Sequence, residues 1–152
     1  MINNLTKNQY GHLLLDLIVT FSIIAILSTI SIPYIRKYQP NLKLNAASRE
    51  LTADLRLAQQ LTVTEQIIHK VSFDLYNDSY DILRIGAATT TVKTVKLDSD
   101  INFQQIIGLT NNQVVFNYYG GVSESGQIVL INVNANMATI NVKPSGYIQL
   151  QN

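Results

Sequence analysis

The sequence predicts an α+β protein: one long N-terminal helix, apolar in its first half and amphipathic in its second, packed on an antiparallel β-sheet head. Three observations predict it. Leu13 to Ile32 (LLLDLIVTFSIIAILSTISI) is almost wholly apolar. From Tyr34 to about Glu65 the apolar residues recur at spacings of three and four, the period of one helix face. Beyond Glu65 the period changes to two, in short runs of β-branched and aromatic residues separated by turn chemistry.

The apolar run is taken first. Twenty residues at about 1.5 Å each make about 30 Å of helix, the thickness of a bilayer hydrocarbon core. A cleaved secretory signal has a shorter apolar core and a small-residue cleavage site, whereas this run ends in Ile32-Pro33-Tyr34. A buried core helix can be apolar all round, but twenty residues without a polar face is long for one. The run therefore reads as a membrane span, with lipid as its surroundings. Its one charge, Asp16, lies a turn inside it. A carboxylate near mid-membrane costs roughly 2.5 to 3.5 kcal/mol, so such residues usually have a partner and a purpose. Lys7 precedes the span and Arg36, Lys37 and Lys43 follow it. By the positive-inside count alone, the C-terminal side would be cytoplasmic.

The amphipathic half carries its stripe at Leu44, Ala47, Leu51, Leu55, Ala58 and Leu61. Arg49, Glu50, Asp54 and Arg56 fall largely off it and read as a solvated face. Pro33 and Pro40 are expected helix bends. Strands are expected at 68–73, 80–85, 90–97, 114–119, 127–133, 138–142 and 147–150. Turn residues divide them: Asn77-Asp78, Gly86, Asp98-Ser99-Asp100, Asn111-Asn112, Gly120-Gly121, Gly126, Asn134-Ala135-Asn136 and Pro144-Ser145-Gly146. Hairpin spacing makes the sheet antiparallel, and the helix stripe supplies its cover. The expected divisions are a leader at 1–11, a span at 12–33, the amphipathic half at 34–65 and a single head at 66–152.

Composition excludes several chemistries. The chain has 152 residues and no cysteine, which removes disulfides, thiolate nucleophiles and cysteine-ligated metals. The two histidines, His12 and His69, stand in no Ser-His-Asp pattern. Asp98 to Asn102 places oxygen ligands at alternate positions but lacks the glycine and closing glutamate of a calcium loop; Asp74, Asp78 and Asp81 read as turn formers. Gly120-Gly121 opens no helix and so makes no phosphate loop. No enzyme activity, cofactor or metal is expected. The net charge of +1, and five basic against seven acidic residues from Glu65 onward, give no basic patch, so nucleic acid is not expected as a partner.

Several motifs together resemble a known family. A short leader with a basic residue, Lys7, ends in Gly11; an acid, Asp16, is fifth and a proline, Pro33, twenty-second when His12 is counted as first. Further on stand Arg49 to Ala58 (RELTADLRLA), Phe116 to Gly121 (FNYYGG), Gly126 to Ile131 (GQIVLI) and Ile140 to Ile148 (INVKPSGYI). In these features the chain resembles the type IV pilins and pseudopilins, specifically the GspH/FimT-like minor pseudopilins.

The resemblance implies a structural subunit of a type II secretion pseudopilus or type IV pilus. It implies cleavage after Gly11 by prepilin peptidase, methylation of the new amine at His12, and pairing of Asp16 with the terminal amine of a neighbouring subunit. Its partners would be other pilin subunits, the peptidase and the inner-membrane assembly platform. The head would lie outside the cytoplasmic membrane, against the positive-inside count. Two positions depart from the family: His12 stands where Phe is usual, and Asp16 is one methylene shorter than the usual Glu. Two alternatives stay open, a DNA-binding minor pilin of an uptake system and a signal-anchored envelope protein that never assembles.

Overall fold

The computed structural model describes residues 9–151, and the side chains among them save those of residues 9–12, Pro33 and Arg36. The leader and the Gly11–His12 junction thus lie outside the described side chains, as does the ring of Pro33 from which a bend was expected. Helix α1 runs from Gln9 to Glu65, and eight strands follow it. The chain divides into two compact units between Gln39 and Pro40.

In the first unit, Leu13–Ile32 is long and apolar enough to cross a membrane, and none of it is buried within the protein. Its hydroxyls are satisfied within the helix. Thr20 donates to Leu17 O at 2.8 Å, Ser22 to Ile18 O at 2.7 Å, Thr29 to Ala25 O at 2.8 Å and Ser31 to Leu27 O at 2.9 Å. Such bonds let hydroxyl groups sit in hydrocarbon without an external partner.

The second unit is the head. α1 buries Leu44, Ser48, Leu51, Leu55, Ala58 and Thr62, a stripe at spacings of three and four. The expected stripe had Ala47 and Leu61, and these are half-buried at its borders. Every described buried residue lies between Pro40 and Ile148, so the head carries its own core. That core is one cluster, in which Leu51 and Leu55 join Val71 and Ile82 from one sheet and Ile128 and Ile140 from another.

The expected antiparallel strands form two four-stranded sheets. One has the order β3-β2-β1-β5, from Thr89–Lys96, Ser79–Ile85, Ile68–Asp74 and Gln113–Phe116. The other has the order β4-β6-β7-β8, from Ile101–Ile107, Gly126–Asn132, Met137–Val142 and Ile148–Gln151. Phe73 of β1 meets Phe103 of β4 edge-on, 5.6 Å between centroids, and so joins the two sheets in the core.

Strand β4 was not expected. Ile101 and Phe103 point inward, but a bulge at Gln104 shifts the register and Ile106 becomes the next inner residue. The bulge breaks the period of two that makes a strand legible. Conversely, the strand expected to run to Tyr119 stops at Phe116, and Asn117–Gly121 is a closed loop. The expected turns carry the left-handed residues: Asp78 (φ 48), Asn111 (φ 55), Asn112 (φ 51) and Ala135 (φ 60). Ala135 holds that conformation because Asn132 Oδ1 accepts from both Asn134 N (3.0 Å) and Asn136 N (2.9 Å).

Candidate functional site: an apolar helix with one acid, and the head it carries

The features that bear on function are the exposed helix with Asp16 and the contacts that lock the second half of α1 into the head. Asp16 projects from α1, exposed, and no hydrogen bond or ion pair reaches it among the described residues. It is the one ionisable side chain between Leu13 and Ile32.

In the head, the charges that read as one solvated face divide. Asp54 is buried at 5% exposure, and this corrects the sequence expectation. Its Oδ2 accepts from the Tyr80 hydroxyl at 2.7 Å and from Lys93 Nζ at 2.7 Å, and Oδ1 accepts from Lys93 Nζ at 2.9 Å. Lys93 also reaches Glu50 Oε1 at 3.3 Å. Its inward position follows from a bulge in β3: Ile82 pairs Lys93 and Leu83 pairs Thr91, so Val92 has no cross-strand partner. Burial, then the Asp54 hydrogen bond, push the Tyr80 hydroxyl well above its ordinary pKa of 10.0. The Asp54 bond likewise raises Lys93.

At the Pro40 end of the head, Lys43 Nζ bridges Asp100 Oδ2 (2.6 Å) and Asp98 Oδ1 (2.9 Å). These bonds raise Lys43, with Asp100 the larger cause, and the Lys43 bond lowers Asp98. The Asp98 turn read from sequence as a weak calcium candidate is therefore an anchor for α1. Asp74 is lowered by its bonds to Asn77, and Glu124 by its bonds to Thr110. These shifts fix the pH response of the head. Carboxyls with depressed pKa stabilise the fold above their ordinary values of 3.8 and 4.5, and that contribution is lost as pH falls through the lower folded values. Lysines with raised pKa stabilise it below 10.5, and that contribution is lost as pH rises through the higher folded values. Denaturant unfolding of residues 40–152 across pH is therefore expected to give a plateau between about 5 and 10, with losses on both sides. A midpoint that kept rising below pH 4 would contradict the anchors.

His69 is fully buried in β1. Its Nδ1 lies 2.9 Å from Ile67 O, and its backbone N donates to Thr62 Oγ1 at 3.1 Å. Nε2 sits 3.8 Å from Glu65 Oε2, whose tighter bond goes to Arg84 Nε at 2.8 Å. Among the described residues no hydrogen bond reaches Nε2, and the backbone bond to Thr62 ties the start of β1 to the end of α1. Among the described residues, no group of three or more His, Asp or Glu side chains is placed to hold a metal.

Contacts from α1 to the loops were invisible in the sequence. Gln59 Nε2 donates to Gly120 O (2.6 Å) and to Gly146 O (3.1 Å), and Arg56 Nη2 donates to Ile148 O (3.3 Å). Gly146 (φ +80) must be glycine there, because a Cβ would collide with the Gly120 carbonyl. The sequence offered a signal for the glycines, and none for their helix partner.

No family model matches the sequence, and no curated protein matches it. Solved structures do resemble it. The minor pseudopilin EpsH of the Vibrio cholerae type 2 secretion system superposes with a TM-score of 0.63 at 11% identity, over 72% of this chain and 96% of that one. The Pseudomonas aeruginosa type IV minor pilin FimU gives 0.60 at 13% identity, over 76% and 92%. The solution structure of Escherichia coli GspH gives 0.54 at 16% identity, over 73% and 89%. At these identities the likeness establishes the fold, a pilin-like α+β fold shared with minor pseudopilins and minor pilins.

Proposed function

We propose that the chain is a minor pilin or pseudopilin, a non-catalytic structural subunit of a type IV pilus or type II secretion pseudopilus. One observation carries the reading: an exposed, 20-residue apolar helix with a single acid precedes a self-contained head of the minor-pseudopilin fold. A helix with no apolar partner inside its own chain must be covered by lipid or by other helices. A plain anchor needs only the first and has no use for Asp16. A subunit that passes from bilayer to filament needs both.

In this reading the precursor spans the inner membrane with its head on the outer side. Prepilin peptidase cuts between Gly11 and His12, which creates an α-amine at the edge of the span. With a pKa near roughly 8, that amine is mostly protonated. In a filament the spans leave lipid and pack side by side. The amine and the Asp16 carboxylate, each costly alone in an apolar core, offset one another when paired. The pair then sets the register between neighbouring subunits, and the head contacts its neighbours.

The test is the intact mass of the chain after co-expression with a prepilin peptidase, beside a Gly11→Val control. Loss of residues 1–11 in the wild type only is the expected result, and an added methyl mass would be the expected sign of a modified His12 amine. An uncut chain in both would leave Asp16 without its amine and return the protein to a simple anchored one.

A further inference from the structure

With Leu13–Ile32 read as the span, the first residues of the head stand close to lipid. Apolar residues continue past Ile32 at Tyr34 and Ile35, both exposed, and the first charge after Asp16 is Arg36. Tyr34 and Tyr38 lie ring to ring, 5.1 Å between centroids, with their hydroxyls 3.3 Å apart. Tyrosines at the end of a span collect at the level of the lipid headgroups. Pro40, where the head begins, is five residues beyond Ile35. Five residues of helix rise about 8 Å, close to the thickness of one interfacial layer. That reach holds at any angle between the two units.

The β6–β7 turn is fastened to this end of the head. Asn41 Oδ1 accepts from Asn132 Nδ2 at 2.8 Å and from Asn136 Nδ2 at 2.6 Å. Within the turn, Asn132 Oδ1 accepts from Asn134 N and Asn136 N, and Val133 N donates to Asp100 O at 3.1 Å. So framed, the turn cannot fold its apolar flanks inward. Val133 is 62% and Met137 50% exposed, and Leu42, next to Asn41, is 67% exposed. The residues between the flanks, Asn134, Ala135 and Asn136, carry no charge. Nearby, Asp98 and Asp100 share Lys43, so little electrostatic field acts at the turn. Valine, methionine and leucine offer no directional group, which suits acyl chains better than the aromatic and arginine anchors of a protein hot spot.

We propose that Val133, Met137 and Leu42 form a membrane-resting surface, which inserts at the headgroup–acyl boundary of the bilayer that anchors the chain. The partner is a lipid surface. The inference rests on the reading of Leu13–Ile32 as a span and adds a second, peripheral contact between the chain and its membrane. Three apolar side chains are too few to hold a free protein on a bilayer. Here the span tethers the head, so the contact is intramolecular in effect and a weak one suffices. The subunit gives the contact up when it leaves lipid for a filament.

The chain has no tryptophan, so a single introduced one reports without background. Three full-length variants, Val133→Trp, Tyr119→Trp and Phe21→Trp, are each purified and reconstituted in vesicles of phosphatidylethanolamine and phosphatidylglycerol, with and without bromine on the acyl chains. Bromine quenches a tryptophan that touches it. Phe21→Trp, in the span, and Val133→Trp are both expected to lose about half or more of their emission. Tyr119→Trp is expected to lose almost none, since its loop is tied to Gln59, eighteen residues and about 27 Å of helix from Asn41. Adding Leu42→Glu and Met137→Glu to Val133→Trp is expected to abolish its quenching, and high salt to leave it unchanged. Equal quenching of Val133→Trp and Tyr119→Trp would show a head that touches lipid without preference, and quenching lost in high salt would show attraction by charge. Either result overturns the surface. If Phe21→Trp is quenched and Val133→Trp is not, the span stands, the turn faces water or another protein, and only this surface is wrong. If Phe21→Trp is not quenched either, the apolar helix is outside lipid and both readings fall.

Discussion

Asp16→Ala is expected to be processed like the wild type and then to be lost from the sheared filament fraction. In the proposed reading, processing acts at Gly11, five residues earlier, whereas the carboxylate acts only once helices leave lipid. In the bilayer Asp16 is a liability, and its removal makes the span a better one. In the filament the balance reverses. A protonated amine left without its carboxylate in an apolar core costs about 3 to 5 kcal/mol. At roughly 1.4 kcal/mol per tenfold, incorporation falls by two orders of magnitude or more. Asp16→Asn keeps the shape and a hydrogen-bond acceptor but not the charge, and is expected to fall between the two. Asp16→Glu lengthens the reach by one methylene and is expected to keep incorporation. Quantitative immunoblotting of sheared and membrane fractions reads all three. An Asp16→Ala chain that assembled at the wild-type level would remove the pairing and with it the reason for an acid in the span.

How much of this was legible in the sequence depends on how local the physics is. The long apolar helix needed only a count of apolar residues, and the amphipathic stripe only a period. Both are properties of consecutive residues, and both stand in α1. Strands that alternate cleanly, such as Ile68–Asp74 with His69, Val71 and Phe73 inward, were equally readable. Strand β4 was not, because Gln104 is an extra residue that changes which side chains face inward. The division into two sheets was hidden for a different reason. Which edges pair is settled by contacts far apart in the chain, such as Phe73 on Phe103, which no local pattern records. The same rule governs which residues could be singled out. Asp16 was singled out by its cost in lipid, which depends on its neighbours in sequence. Gln59, which ties two loops to the helix, was missed because glutamine on an exposed helix face has no signature until the loops are in place.

Asp54 is the residue where the sequence pattern misled, and its substitution is the second large effect. On the helix it sits beside the apolar stripe, four residues from Glu50, where a solvated carboxylate is the ordinary expectation. The bulge in β3 turns Lys93 under the sheet edge, and β2 brings the Tyr80 hydroxyl to the same point, so the carboxylate joins α1 to two strands. Asp54→Ala leaves a buried tyrosine hydroxyl without an acceptor and is expected to destabilise the head by about 2 to 3 kcal/mol. Lys93, still partly exposed and within reach of Glu50, moderates the loss. Tyr80→Phe removes the donor and leaves Asp54 its lysine, so its expected cost is only about 1 kcal/mol. The double variant takes away donor and acceptor together and should be little worse than Asp54→Ala alone, which is the non-additivity that marks a real contact. Denaturant unfolding of residues 40–152 measures each corner of the cycle. Strict additivity, or an Asp54→Ala change within about 0.5 kcal/mol of wild type, would mean that Asp54 is solvated after all. In that case β3, an edge strand, would be held to the head by little more than its pairing with β2. An edge so loosely tied is poorly suited to a subunit whose head must keep its shape among neighbours.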